Sequence, residues 1–248
     1  MRSTNIFLNI FIISILLTFT VEIDIEAVKD YLKAFLQKKV SNKVILAAIK
    51  SIRNLTPAKY PGNLEHNIEH FPRHLTQIQR YKGFIENQDN YYDLKYGRKT
   101  IDFSGCEVIA AYNALYDLTG NENIDFPAMI DYFEKNGILL YGNLGTAPQS
   151  VEEYFNELGF KTLSSFKREE YANVEKNYDT FILTKFNDIE DITQCIHTVC
   201  ITKKDGKLYV HNNSYYGHNI QYNSIEDILN RIDGGQAKDI VLLGIKKK

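Results

Sequence analysis

Twelve residues near the middle of the chain read Ser104-Gly105-Cys106-Glu107-Val108-Ile109-Ala110-Ala111-Tyr112-Asn113-Ala114-Leu115. Their apolar side chains recur at helical spacing, which predicts a helix that begins at Cys106. A thiol in the first turn of a helix lies beside unpaired backbone N–H groups and the positive end of the helix dipole. Both features favour the thiolate, so the pattern predicts that Cys106 is a nucleophile.

A base for that thiol is predicted 91 residues further along the chain. The run Cys195-Ile196-His197-Thr198-Val199-Cys200-Ile201-Thr202 is apolar and β-branched, which is typical of a strand. Asp205-Gly206 then predicts a tight hairpin turn into a second strand that ends at Asn212. Because a hairpin sets its strands side by side, we expect His197 and Asn212 to lie close together.

These three residues have complementary chemistry. We expect Cys106 to attack as the nucleophile, His197 to serve as general base and then acid, and the Asn212 amide to orient the imidazole. Asn213 is the alternative orienting residue. A buried structural cysteine and a satisfied core histidine remain the alternatives to this catalytic interpretation.

The same residues resemble a known family. Gly105-Cys106 opening a helix, followed by His197-Thr198-Val199 and Tyr209-Val210-His211-Asn212, is similar to the papain-like cysteine peptidase superfamily. The double-glycine leader peptidases of bacterial bacteriocin exporters are the branch nearest in length and spacing. The resemblance covers residues 95–246. It implies an α+β fold with the nucleophile helix packed against an antiparallel sheet, and a thiol peptidase that cleaves peptide or protein substrates without a cofactor.

Two positions depart from the family pattern. Such enzymes usually carry a glutamine about six residues before the nucleophile as an oxyanion donor, and here that position is Thr100. We expect the Thr100 hydroxyl to donate together with the Cys106 backbone N–H, or the site to be weakened. Glu107 stands where a second glycine is common, and its carboxylate opposes thiolate formation. An acyl or peptidyl transferase with the same triad and a catalytically inactive peptide-binding relative therefore remain alternatives.

The remaining pattern is also typical of an α+β domain. One helix is predicted after Asp125 and ends at Gly137, and a second is predicted after Thr146 and ends at Gly159. Four strands are predicted later in the chain, at Thr180–Lys185, Ile196–Thr202, Lys207–Asn212 and Ile240–Ile245. A short helix is predicted at Ile225–Ile232, before the last strand. Helices that precede strands favour a helical layer on an antiparallel sheet.

The N-terminal third is predicted to be separate from the catalytic domain, which we place at residues 95–248. Residues 1–23 hold an apolar segment, Ile6–Thr20, after Arg2 and before acidic residues, which indicates a signal peptide or a short membrane anchor. The alternative is a hydrophobic helix that packs on the domain. Such a segment predicts export, so that the protein is secreted or anchored to a membrane outside the cytoplasm. If the segment does not direct export, a cytoplasmic protein is expected.

Residues 24–94 are predicted to be a helical region followed by a linker. Two amphipathic helices are expected between Ile25 and Thr56, and the polar stretch Pro57–Tyr96, which contains Pro61-Gly62, is the predicted linker.

Composition and residue spacing argue against nucleic-acid binding, a metal site and a disulfide framework. The net charge of −2 provides no basic surface of the kind that nucleic acid requires. His66, His70 and His74 recur every four residues, but Pro72 interrupts that helix and argues against a metal site. Cys195, His197 and Cys200 do not make a zinc site, because strand alternation turns Cys200 away from the other two. Three cysteines do not support a disulfide framework.

Overall fold

The fold combines helices and antiparallel sheet, as the sequence predicted. The structure is a computed structural model and describes residues 25–28, 30, 41–53, 59–186, 196–213, 220–232 and 238–248. The helices are α1 (Asn42–Arg53), α2 (Asn63–His70), α3 (Leu75–Arg80), α4 (Ile101–Ser104), α5 (Cys106–Thr119), α6 (Phe126–Asn136), α7 (Pro148–Glu157), α8 (Tyr171–Asn177) and α9 (Ile225–Arg231). The strands are β1 (Lys95–Tyr96), β2 (Lys99–Thr100), β3 (Lys161–Ser165), β4 (Thr180–Phe186), β5 (Ile196–Lys204), β6 (Lys207–His211), β7 (Gln221–Tyr222) and β8 (Lys238–Lys246).

Over the described residues, the main sheet has six strands in the order β3-β8-β4-β5-β6-β7, and neighbouring strands are antiparallel. Strands β4 and β5 pair in continuous register from Thr180 opposite Thr202 to Phe186 opposite Ile196. Strands β5 and β6 form the predicted hairpin, with Cys200 opposite His211. The strand that carries His197 therefore lies inside the sheet, between β4 and β6.

Helices cover both faces of this sheet. On one face, α5 shares a core with inward side chains such as Ile182, Cys200 and Leu243. On the other face, α8 and α9 pack against alternate residues of the same strands, among them Val199 and Ile201. Because successive side chains of a strand point to opposite faces, each central strand contributes to two cores. The three layers hold the N-terminus of α5 beside β5.

Several predicted boundaries are confirmed. The Asp125 side chain accepts a hydrogen bond of 3.0 Å from the Ala128 N–H and caps α6, which ends before Gly137. Gly159 follows the end of α7 in a left-handed conformation with φ of 86°. The Thr146 cap is wrong: α7 begins at Pro148, and the buried Thr146 hydroxyl bonds to the Tyr96 hydroxyl instead. The helix starts later because the fixed φ of Pro148 suits the first position of a helix.

The predicted linker is also wrong over its described part, residues 59–96. This segment contains α2 and α3, and its apolar side chains join the main core with α5; they include Phe71, Ile78, Ile85, Tyr91, Leu94 and Tyr96. The second predicted N-terminal helix is confirmed as α1, which buries Ile45, Leu46 and Ile49. The segment from residue 59 is therefore part of the same packed unit as the cysteine helix.

Two sequence predictions fall largely outside the described residues. The apolar segment Ile6–Thr20 lies there entirely, and of the first amphipathic helix only residues 25–28 and 30 are described, residues 25–28 as helix. Within the described part of the chain, no helix has the length and apolar character needed to span a bilayer.

Candidate active site

The cysteine predicted to be the nucleophile is the first residue of α5. Gly105 separates α4 from α5, and a side-chain carbon at this position would lie 2.8 Å from Ile101 Cδ1, from Ile101 Cγ2 and from the Ile101 carbonyl oxygen. This tight approach requires a glycine and fixes where the helix begins. Residue Cys106 is buried, with 6% of its surface exposed.

The cysteine thiol is paired with the next residue. The Cys106 Sγ–H donates a hydrogen bond to the Glu107 Oε2 at 3.0 Å, and the Glu107 residue is 0% exposed. Gly145, in a left-handed conformation, lies against this carboxylate: a side-chain carbon at Gly145 would come 3.4 Å from Glu107 Oε2. The pair is therefore enclosed between the start of α5 and the Gly145 turn.

Burial shifts the proton affinity of both members of this pair. Burial, followed by the negative charge of Glu107 and the hydrogen bond to it, raises the pKa of the Cys106 thiol well above its usual value. The nearby backbone of Thr198 lowers that pKa in part. Burial also raises the pKa of Glu107 to about 7, opposed first by the hydrogen bond from the Cys106 thiol. At neutral pH the thiol is thus protonated, and the carboxyl group is close to its midpoint.

The raised pKa of Glu107 predicts that stability depends on pH. Below about pH 4.5 the carboxyl is protonated in both the folded and unfolded states, whereas between about 4.5 and 7 only the folded state keeps the proton. The free energy of unfolding therefore falls as the pH rises through this window, by about 3 kcal/mol for this group. We expect Glu107→Gln to remove this fall, measured by urea unfolding at pH 5 and pH 8.

The matched control for this measurement is Glu122→Gln, which changes an exposed carboxyl before α6. We expect the control to keep the wild-type difference between pH 5 and pH 8. A Glu107→Gln variant with the same difference as the wild type would contradict the assignment of a buried, proton-holding carboxyl.

His197 is held by the backbone of the predicted orienting residue. Its Nε2 forms a hydrogen bond of 3.0 Å with the Asn212 carbonyl oxygen, so the hairpin does bring His197 and Asn212 together as predicted. No hydrogen bond joins His197 to Cys106 among the described residues. The residue of β5 whose backbone lies beside the sulfur is Thr198, and strand alternation favours opposite faces for these two neighbours.

The Asn212 side chain has other partners. Asn212 directly follows β6 and has φ of 62°, a left-handed conformation that asparagine tolerates better than most residues. Its Oδ1 accepts from the Gln88 N–H at 3.1 Å, and its Nδ2 donates to the Gln88 Oε1 at 3.3 Å. The prediction that the Asn212 side-chain amide orients the imidazole is therefore wrong. The Asn212 backbone carbonyl oxygen bonds to the His197 ring instead.

Gln88 was not identified from the sequence, yet it connects two parts of the site. Its Nε2 donates to the Asp102 carbonyl oxygen at 2.7 Å, while its other groups bind Asn212. It thus ties the turn before Cys106 to the end of the histidine hairpin. No local signal marks it, because the contact depends on how the segment before β1 lies across α4.

Two further predicted site residues are Asn213, the alternative orienting residue, and Thr100, the predicted oxyanion donor. Asn213 is buried and follows Asn212 directly. Thr100 is half-buried and immediately precedes α4, and its side chain makes no capping hydrogen bond. Its oxyanion role stays a prediction.

Several residues near Cys106 in the sequence carry buried polar atoms without a partner among the described residues. Among the described residues, three buried oxygens next to Cys106 in the sequence lack a hydrogen-bond partner: Asp102 Oδ1, Ser104 Oγ and Glu107 Oε1. Native proteins leave few such atoms, and they concentrate where a water, a ligand or chemistry is accommodated. The other two such oxygens among the described residues are on Tyr60 and Gln149, so three of the five lie within four residues of Cys106 in the sequence.

The histidines spaced by four residues have protein partners. The His66 and His70 rings stack 3.9 Å apart on α2, and His66 Nε2 bonds to the Asp93 carbonyl oxygen at 2.8 Å. His74 Nε2 bonds to Asp93 Oδ1 at 2.7 Å. Over the described ranges, no three His, Cys, Asp or Glu side chains are arranged to hold a metal. Cys195 lies outside those ranges, and Cys200 is fully buried in the core beside α5.

Comparisons with known proteins add no assignment. No family model and no curated protein matches this chain. The functional interpretation therefore depends on the residues and geometry given above.

Proposed function

We propose that the chain is a thiol peptidase that cleaves peptide bonds through an acyl-enzyme on Cys106. The observation that carries the proposal is the position of the thiol: it is on the first residue of a helix, with a proton acceptor 3.0 Å from its sulfur. Backbone N–H groups at a helix start stabilise negative charge that develops on sulfur or on a carbonyl oxygen. Acyl transfer to a thiol uses both features.

The arrangement of elements supports the same proposal. The cysteine helix packs against an antiparallel sheet, and the histidine strand β5 lies directly beside it, as the resemblance to papain-like peptidases implies. His197 is held at the hairpin end by the Asn212 carbonyl oxygen. The role of His197 as general acid and base stays a prediction, which substitution of its side chain tests.

A second candidate is a catalytically inactive relative that binds peptides. Two observations favour it: burial holds the Cys106 thiol protonated, and the Asn212 amide is engaged by Gln88. In that case the site would bind a peptide without forming a covalent bond. The two candidates differ in one measurable property, the ability of Cys106 to form an adduct with a peptide-like electrophile.

The experiment is covalent trapping with a mixture of short peptidyl vinyl sulfones. We expect one adduct per chain, mapped to Cys106 by peptide mass spectrometry, because a bound peptide holds its electrophilic carbon at the nucleophile. Cys106→Ala should form no adduct. The matched control is Cys200→Ala, which removes another buried thiol and should leave the adduct unchanged.

Two results would overturn the peptidase proposal. The first is a wild-type chain that folds but forms no adduct at Cys106 with any member of the mixture, which supports the inactive peptide-binding relative. The second is equal labelling of wild type and Cys106→Ala, which places the reactive group elsewhere.

A further inference from the structure

We propose that Glu107 is the catalytic residue that takes the proton from the Cys106 thiol, in place of His197. The inference rests on the proposed function, since it assigns a role within the same reaction. It reverses the expectation from the sequence that the Glu107 carboxylate opposes thiolate formation.

The geometry of the pair carries the inference. Glu107 Oε2 accepts the Sγ–H at 3.0 Å, the only side-chain hydrogen bond that Cys106 makes in the described part of the chain. General bases must lie within this reach of the proton they remove. The imidazole of His197 has no such contact with the sulfur; its Nε2 bonds to the Asn212 carbonyl oxygen.

The second carboxylate oxygen gives independent support. Glu107 Oε1 is buried without a hydrogen-bond partner among the described residues, in a residue that is 0% exposed. A buried carboxylate that served only to stabilise the fold would be expected to have both oxygens satisfied. Burial raises the pKa of this carboxyl group to about 7, which suits a base that must hold a proton during the reaction.

The proton balance of the reaction is complete with this one group. As the sulfur attacks the substrate carbonyl carbon, a C–S bond forms and the thiol proton moves to Glu107 Oε2. The C–N bond then breaks, and the leaving amine takes that proton. In hydrolysis, Glu107 removes a proton from water as the water oxygen attacks the thioester, and it returns the proton to the departing sulfur. The carboxylate and thiol are thereby restored.

Within the described ranges, few other titratable groups face the carboxylate. The Cys106 thiol lies on the same helix, and the Tyr96 hydroxyl faces it from β1, where it bonds to Thr146. Thr198 from β5 and the Thr146 backbone are uncharged. With Glu107 at a pKa of about 7, the base form appears as the pH rises through neutrality.

The test follows thiol alkylation and does not require a known substrate. The rate of iodoacetamide alkylation is measured at Cys106 by peptide mapping from pH 5 to pH 10, with the buried Cys200 thiol as an internal reference. We expect the wild-type rate to rise through about pH 7 and then level off. Glu107→Gln should lose this step and react about 10²-fold more slowly at pH 7.5, the scale of a lost general base.

Three further variants complete the design. Glu134→Gln is the matched control, because Glu134 is another buried carboxyl with a pKa raised by burial to about 7 but bonded to Asn63 and Gly97. It should keep the step, and so should His197→Ala. Glu107→Asp retains a carboxylate and should restore part of the step, which also provides a test if Glu107→Gln does not fold.

The inference is overturned if Glu107→Gln alkylates as fast as the wild type or faster, since a carboxylate that merely repels the thiolate gives that sign. It is also overturned if His197→Ala removes the step. Both results are separate from the proposed function, which fails only if Cys106 forms no adduct with peptidyl electrophiles or if labelling persists without Cys106.

Discussion

Replacing Cys106 by alanine is expected to reduce peptide cleavage by at least about 10⁴-fold, because removal of a covalent nucleophile leaves only binding and oxyanion stabilisation. The substitution removes one buried sulfur at the start of α5 and keeps the helix-forming backbone. The measurement is the initial rate on a library of quenched fluorogenic peptides, with cleavage sites read by mass spectrometry. His197→Ala should lower the rate far less than Cys106→Ala, because Glu107 carries the proton transfers; a loss of about 10² to 10⁴-fold would instead assign general acid–base catalysis to His197.

The matched control is again Cys200→Ala. Cys200 lies opposite His211 in the sheet and packs beneath α5, so its loss affects the core but not the start of the helix. We expect the folded variant to retain the wild-type rate. Peptide cleavage that survives in Cys106→Ala would contradict an acyl-enzyme on this residue, and a wild-type chain that cleaves no member of the library would favour the inactive relative.

The parts of the fold that depend on local pattern were predicted from the sequence. The β-branched runs at β4, β5 and β8 and the Asp205-Gly206 turn have short-range causes, and the predicted strands match the observed ones within two residues at each end. The cap of α6 at Asp125 is likewise local. The segment after Pro57 was mistaken for a linker because polar residues outnumber the apolar ones that it buries, and its packing against α5 is a long-range effect.

The site was predicted in its elements but not in its contacts. The helix start at Cys106 and the approach of His197 to Asn212 follow from helix and hairpin geometry. The contact between Asn212 and Gln88 spans 124 residues, and no spacing rule predicts it. Glu107 is adjacent to Cys106 in the sequence, yet its burial depends on the Gly145 turn that covers it.

Two different carboxyl groups therefore organise the two halves of the site. Glu107 contacts the thiol, and Glu86 holds the end of β6 that presents the Asn212 carbonyl oxygen to His197. Both glutamates are buried, and each bonds to a predicted site residue: Glu107 to Cys106 and Glu86 to Asn212. The burial of each carboxyl group depends on distant parts of the chain, so substitution of the carboxyl group is the direct test of its role.

Replacing Glu86 by alanine is expected to lower the free energy of unfolding by about 2–6 kcal/mol, because it leaves two buried polar groups without a hydrogen-bond partner, at about 1–3 kcal/mol each. Glu86 Oε1 bonds to His211 Nδ1 at 2.7 Å, and Oε2 accepts from the Asn212 N–H at 3.2 Å. His211 is further held by Thr202 at 2.9 Å and by the Phe84 ring stacked 3.9 Å away. The two groups that lose their partner are therefore His211 Nδ1 and the Asn212 N–H.

The measurement is urea unfolding, and the matched control is Glu226→Ala. Glu226 forms a two-pronged ion pair with Arg168 at 2.7 and 2.9 Å, comparable in geometry to the Glu86 contacts but exposed to solvent. Exposed pairs contribute at most about 1 kcal/mol, so the control should lose far less stability. A Glu86→Ala variant no less stable than Glu226→Ala would mean that burial of the Glu86–His211 contact does not hold the hairpin end. Because Asn212 follows His211 directly, a destabilised contact should also displace the carbonyl oxygen that holds His197, and the His197 ring resonances in NMR spectra should shift.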